Sequence, residues 1–338
     1  MKIQNIQFII TILLLCFLPV ICSAQTISLE DVVSVTITPE YPGPFTETVI
    51  SVESFNTDLD RTTITWIQNG TVVSKRIGQT AFTFTTGALG NRDTIQMRAQ
   101  TTEGSVINKT ITIVPSRVIL LDESTGYISP FYKGKNKYAL DGTVRIHAIP
   151  EIYENGKLVD PRSLMYVWEI QHTKIPNISG FGKNTIILGS DITYRTKAVI
   201  TVTVSTLDGA INGRGGLALH PRTPLIRIYK NDPLIGINFN EAVIGDNTLT
   251  EQELNLEIFP YFFDIQSRLS PNITYSWSMN GTVLDTQTPQ YSLTVRNDSN
   301  TEGRSRIDVS ATHAKHFIQE SNDRLYILYG NKNSQFSF

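Results

Sequence analysis

Few side chains in this sequence are grouped as chemistry requires. Asp58 and Asp60 stand two apart in a polar loop, and paired carboxylates of this kind supply the hard oxygen ligands that Ca²⁺ takes. Calcium needs about six to eight oxygens and this loop has few others. The expectation is therefore no metal and no cofactor, with Asp58 and Asp60 the positions to examine for calcium. His313 and His316 follow an alternating run, where a spacing of three points them to opposite faces of a strand and marks an exposed loop end. Gly213-Arg214-Gly215-Gly216 lacks the Lys-Ser/Thr of a phosphate-binding loop and reads as a hairpin loop between two strands. Neither a Gly-x-Ser-x-Gly elbow nor a His-Glu-x-x-His zinc motif is present, so no catalytic residue is assigned and the chain is not expected to be an enzyme.

The segment from Tyr127 to Tyr138 is different. Tyr127, Phe131, Tyr132 and Tyr138 are interleaved with Lys133 and Lys135, and rigid rings beside cations can stack on a glycan or a peptide at low entropic cost. The same residues could instead pack over a sandwich or a joint, with the lysines guarding a strand edge. Tyr261, Phe262 and Phe263 form a second aromatic cluster that reads as packing.

What carries these residues is constrained from the first position. Lys2 precedes an almost unbroken apolar run from Phe8 to Cys22, and Cys22-Ser23-Ala24 offers small residues at −3 and −1 before Gln25. That layout marks residues 1–24 as a secretory signal peptide. The run is short of the roughly 20 residues that span a bilayer, so membrane attachment is expected only if the segment is retained uncleaved. Cys16 and Cys22 are the two cysteines of the chain, and cleavage removes both. Residues 25–338 then have no disulfide or thiolate chemistry and must be held by their cores. A formal net charge of −2 gives no reason to bind nucleic acid, which demands clustered Lys and Arg. An extracytoplasmic location is expected.

The chain also repeats itself. Trp66, Trp168 and Trp277 occur once in each third, as Ile64-Thr65-Trp66-Ile67, Tyr166-Val167-Trp168-Glu169 and Tyr275-Ser276-Trp277-Ser278. Alternating apolar runs precede and follow each one, and period-2 alternation is the mark of a half-buried strand. Asn69-Gly70, Asn155-Gly156, Asp208-Gly209 and Asn280-Gly281 lie between runs and suit tight hairpins. No 3.6-residue period is sustained. The spacing predicts an all-β chain with three domains over 25–116, 117–222 and 223–338, joined by short proline-bearing links at Pro115, Pro221 and Pro224, and with Trp66, Trp168 and Trp277 as structural core.

Val35-Thr36-Ile37-Thr38-Pro39 as a first strand, Val49 to Val52 as a second, Trp66 with Asn69-Gly70 as a third and its turn, and Val106 to Pro115 as a last resemble the tandem immunoglobulin-like and PKD-like domains of bacterial secreted or cell-surface proteins. The paired cysteines of antibody domains are absent, and Gln68-Asn69-Gly70 stands where PKD domains have Gly-Asp-Gly. The resemblance implies β-sandwiches with a structural or adhesive role and a surface protein or glycan as partner. An accessory subunit of a pilus, coat or secretion apparatus is the alternative, and a carbohydrate-active or metal-dependent enzyme a more distant one. Mass spectrometry of the protein from its native host should find Gln25 at the N-terminus; an intact Met1 would remove the basis for secretion.

Overall fold

The computed structural model describes residues 33–102, 104–124, 126–189, 197–285, 290–298 and 302–330. The expected signal segment 1–24, with Cys16 and Cys22, lies outside them. The described residues divide into two compact units, one holding those up to Glu40 with those of Thr48–Phe84 and Asp93–Thr112, the other those of Tyr41–Glu47 and Thr85–Arg92 and those from Ile113 onward.

In the first unit, alternating runs such as Val49-Ile50-Ser51-Val52 become seven strands: β1 Val33–Thr38, β2 Glu47–Ser54, β3 Thr63–Gln68, β4 Thr71–Ile77, β5 Ala81–Thr85, β6 Asp93–Gln100 and β7 Val106–Ile113. They form a sheet of order β1-β2-β5 and another of order β4-β3-β6-β7. Ile50, Val52, Ile64, Trp66, Ile95, Met97 and Ala99 occupy every second position and are buried, which is the pleat turning one face inward. The Trp66 ring stacks on Phe82, with centroids 5.3 Å apart.

The second unit holds two further sandwiches. The first of them contains β8 Arg117–Ser124, β9 Val144–Glu151, β10 Tyr153–Glu154, β11 Lys157–Leu158, β12 Met165–Ile170, β13 Thr173–Lys174, β14 Gly180–Phe181, β15 Thr185–Leu188, β16 Ala198–Ser205 and β17 Asn212–Leu219. Sheet β15-β9-β8 faces sheet β13-β12-β16-β17 across a core that includes Val144, Ile146, Tyr166, Trp168, Ile200 and Val202. The other contains β18 Leu225–Asp232, β19 Gly236–Ile237, β20 Gly245–Thr248, β21 Glu253–Tyr261, β22 Ile273–Met279, β23 Thr282–Val283, β24 Ser292–Arg296, β25 Gly303–His313 and β26 Glu320–Tyr329. Its sheets run β19-β18-β21-β24 and β20-β26-β25-β22-β23 around Ile228, Ile258, Phe263, Trp277, Ile307 and Ile327. The chain is thus a tandem array of immunoglobulin-like β-sandwiches, and helix among the described residues is limited to 3₁₀ turns at Leu59–Arg61, Pro161–Ser163 and Pro176–Ile178.

Local chemistry explains the hairpins. Asn69 and Gly70 have φ of 49° and 83°, Asn155 and Gly156 of 50° and 75°, and Asn280 and Gly281 of 52° and 88°, the consecutive positive values that a two-residue hairpin of matching twist demands. Asn69 and Asn280 also brace the neighbouring strand, each accepting at Oδ1 a backbone N–H, from Thr94 and Arg306, at 2.8 Å.

Gly213-Arg214-Gly215-Gly216 is not a loop. It lies within β17, because a Cβ on Gly215 would stand 2.6 Å from the carbonyl oxygen of Val118 and one on Gly213 2.9 Å from Ser116 Oγ. The glycines let the backbone of β8 pass close, and nothing in their local sequence reveals that.

All three tryptophans are fully buried. Each indole N–H donates to a carbonyl two residues ahead of a strand in the opposite sheet: Trp66 to Gln79 at 2.9 Å, Trp168 to Lys183 at 2.8 Å and Trp277 to Gln290 at 2.9 Å. Two residues before Trp168 and Trp277, Tyr166 donates to the carbonyl of Pro161 at 2.8 Å and Tyr275 to that of Arg268 at 3.2 Å, and burial pushes the Tyr166 hydroxyl up to about 12. Replacing any one tryptophan by alanine should cost about 3 to 5 kcal/mol. In urea unfolding followed by the fluorescence of the remaining tryptophans, Trp66→Ala should shift one transition, whereas Trp168→Ala and Trp277→Ala should shift a second one together. Separate transitions for Trp168 and Trp277 would count against their shared unit.

Candidate binding surfaces

The aromatic segment after β8 is the first candidate from the sequence, and folding disperses it. Tyr127 packs against the core of the third sandwich, where burial raises its hydroxyl. The Phe131 ring lies 4.2 Å from that of Phe239, which in turn packs on Tyr229 and Phe259. Tyr138 is 6% exposed and belongs mainly to the core of the second sandwich. Tyr132 remains exposed and donates to the carbonyl of Lys135 at 3.1 Å, while Lys135 pairs with Asp122 and Lys133 stays exposed. The segment therefore works as packing between two sandwiches rather than as one continuous ligand face. The apolar partners that draw Tyr127 and Phe131 away lie more than ninety residues later in the sequence. Of the second aromatic cluster, Phe263 is core and Tyr261 shares a hydrogen bond with Tyr229 at 3.1 Å.

The two histidines also depart from expectation. His313 closes β25 and is 2% exposed, and the chain turns back after it so that the His316 ring comes within 4.5 Å of the His313 ring. Nδ1 of His313 accepts the backbone N–H groups of Lys315 and His316, both at 3.1 Å. Its proton is therefore on Nε2, which donates to the carbonyl of Asp264 at 3.2 Å. His316 stands between two carboxylates, Asp141 at 3.3 Å and Asp264 at 3.8 Å. Asp264 also accepts the N–H of Thr143 at 2.9 Å, and Gln319 donates to the carbonyl of Leu140 and accepts from the N–H of Asp264, both at 2.8 Å. These residues form a polar seam between the second and third sandwiches, and a strand periodicity could not foretell the turn that gathers them.

Asp58 caps the 3₁₀ turn Leu59–Arg61, accepting the N–H of Asp60 at 3.2 Å and pairing with Arg61 at 3.5 Å. Among the described residues no cluster of three or more His, Cys, Asp or Glu is placed to hold a metal.

Two depressions among the described residues bear on binding. One of about 310 Å³ is lined by Lys135, Lys137, Tyr138, His220 and Arg222 beside Asp122. The larger, of about 570 Å³, lies on the outer face of the five-stranded sheet of the third sandwich. Alternation dictates its lining: Trp277, Val309 and Ile307 turn inward, so Ser276, Ser278, Asp308 and Ser310 turn outward from β22 and β25, with Asn322 and Arg324 beside them on β26. The register sets Ser276 opposite Ser310 and Ser310 opposite Asn322, a row of small polar groups, with Ser278, Asp308 and Arg324 as the next row. Arg324, at 2.5 Å, and Arg306, at 2.9 Å, hold Asp308, and the Arg324 hydrogen bond keeps its carboxyl below the usual range. None of these residues stands out in the sequence, although the alternation of β25 alone indicates the row.

No family model matches the chain, and no curated protein does. Among solved structures it is similar to the three N-terminal domains of the highly immunogenic outer capsid protein (Hoc) of bacteriophage RB49, at 13% identity and a TM-score of 0.26 over 87% of this chain and 98% of that one. It is similar also to fibronectin(III)-like modules of Clostridium thermocellum CbhA, at 12% and 0.27 over 56% of this chain and 94% of the other, and to the central fibronectin-III array of RIM-binding protein, at 11% and 0.29 over 88% and 96%.

The seam has a pH signature. Burial first, and the neighbouring His316 second, lower the His313 value below its ordinary 6.5. The unfolded chain then binds a proton at that site before the folded chain does, so its contribution to stability is complete above pH 6.5 and is lost as the pH falls below it. Melting between about pH 6.5 and 5 should show this loss, and His313→Asn, which keeps an acceptor near the place of Nδ1, should flatten it.

Proposed function

We propose that this chain is a non-catalytic, extracytoplasmic scaffold whose tandem sandwiches present a polyhydroxylated ligand, a glycan, to the outer face of the third sandwich. The observation that carries the reading is the groove over β22, β25 and β26. Its hydroxyls and amide are fixed on paired strands, and groups held on strands are positioned more closely than groups on loops. The hydroxyls of Ser276, Ser278 and Ser310 and the amide of Asn322 can each donate and accept, the complement of a sugar edge. Asp308, clamped by two guanidiniums, is an acceptor and a poor proton donor, which favours binding over acid catalysis. The signal-like segment 1–24 favours a location outside the cytoplasm.

A surface-assembly subunit is the second reading, favoured by the bare apolar sheet face of the second sandwich described below. The test of the first is a glycan array probed with the purified chain, followed by calorimetry on the best ligand. Arg324→Gln together with Ser310→Ala should weaken that binding by about tenfold or more at an unchanged melting temperature, since hydrogen bonds to charged groups are worth about 1.5 to 3 kcal/mol. An array without a hit, or a ligand indifferent to both changes, would overturn the assignment.

A further inference from the structure

The outer face of sheet β15-β9-β8 in the second sandwich is apolar. Ile119 and Leu121 on β8, Ile149 on β9 and Ile187 on β15 are 39%, 50%, 44% and 58% exposed. They are neighbours, since the register sets Ile119 opposite Ile149 and Leu121 opposite His147, with Ile187 one row on, opposite Arg145. The other sandwiches treat the same face differently. In the first, the corresponding outward positions are polar, with Thr36 opposite Ser51 and Ser34 opposite Glu53. In the third, Arg227 opposite Phe259 matches the place of Ile119 opposite Ile149, but Phe259 is 1% exposed because the Phe239 ring packs on it and Arg268 lies over it at 4.0 Å. Position for position, one copy is solvated, one is covered by its own chain and one is apolar and bare.

The rim of the bare face says what covers it. Arg117 and Glu151 pair across one end, and Glu123 and Arg145 pair across the other, at 3.3 Å. Along β8 the outward residues read Arg117, Ile119, Leu121, Glu123; along β9, in the same direction, they read Glu151, Ile149, His147, Arg145. A two-fold axis lying in the face and crossing the strands midway turns each row end for end. Arg117 then meets Glu123 of the second copy and Glu151 meets Arg145, while Ile119 meets Leu121. The charge pattern is its own complement, which is what an isologous interface demands of a patch, and face-to-face sheets pack with strand directions within about 30° of each other. We infer that this face is where two copies of the chain associate, sheet against sheet.

Sedimentation velocity of the purified chain across a range of concentrations tests this directly. A reversible monomer–dimer equilibrium is expected, and Ile149→Lys should leave only monomer with an unchanged circular dichroism melt; Ile149→Thr, which keeps the β-branch, serves if the lysine unfolds the sandwich. The charge pairing is read separately. Arg117→Glu alone and Glu123→Arg alone each oppose like charges in their own dimers and should remain monomeric, but an equimolar mixture should dimerise, because every charge pair between the two copies is then restored. A chain that sediments as monomer at all concentrations, a dimer indifferent to the changes at Ile149, or a mixture no more associated than its components would each overturn the inference.

Discussion

One hydrogen bond, made three times, organises this molecule. An indole N–H on a central strand reaches across each sandwich to a carbonyl just ahead of a strand in the facing sheet, at Gln79, Lys183 and Gln290. A buried donor left without a partner costs about 1 to 3 kcal/mol, so the ring cannot simply slide to another depth in the core. The bond thereby fixes both the separation of the two sheets and the point along the second sheet at which they meet. Residues 25–338 contain no cysteine, and the cross-sheet tie that a disulfide could supply is provided here by an aromatic side chain with one polar atom. Outward-facing residues follow from it, because once the tryptophans are committed inward the pleat turns the neighbouring serines and Asp308 to the surface.

Much of this is legible in the sequence because it is local. Alternation identifies strands, Asn-Gly identifies hairpins through the sign of φ, and three tryptophans in matched surroundings identify the repeat. What is not legible depends on contacts between distant residues. The glycines of β17 look like a loop until β8 is seen to pass over them. His313 and His316 look divergent only if strand geometry continues past the end of β25, where two N–H groups in fact turn back onto a ring nitrogen. The rings near Tyr127 look available for a ligand because their true partners, Phe239 above all, are far along the chain. The groove of the third sandwich escapes notice for the opposite reason: serines on a strand carry no conspicuous chemistry until the register lines them up.

The seam between the second and third sandwiches changes what the prolines at 221 and 224 mean. Such links are expected to be semi-rigid spacers between separate bodies. Here the polar atoms of Asp141, Asp264, His316 and Gln319 bind the two sandwiches to each other across positions widely separated in sequence. Hydrogen bonds are directional where apolar contacts are not, so a seam of this kind selects one mutual orientation in addition to holding the pair together. It also explains why Phe131 can serve as cover for the neighbouring sandwich: its position relative to Phe239 is set by these bonds.

The last strand of the third sandwich has a mechanical meaning. β26 runs parallel to β20, with Gly245 to Thr248 beside Leu325 to Leu328, and antiparallel to β25 along ten residues. A pull on the chain beyond β26 is directed along the strand, across the ladder rather than away from it. The hydrogen bonds on both sides are then strained in shear, all at once, and none can open first as the end bond of a peeled hairpin does. Resistance to tension is thereby concentrated in the ladders that flank this one strand.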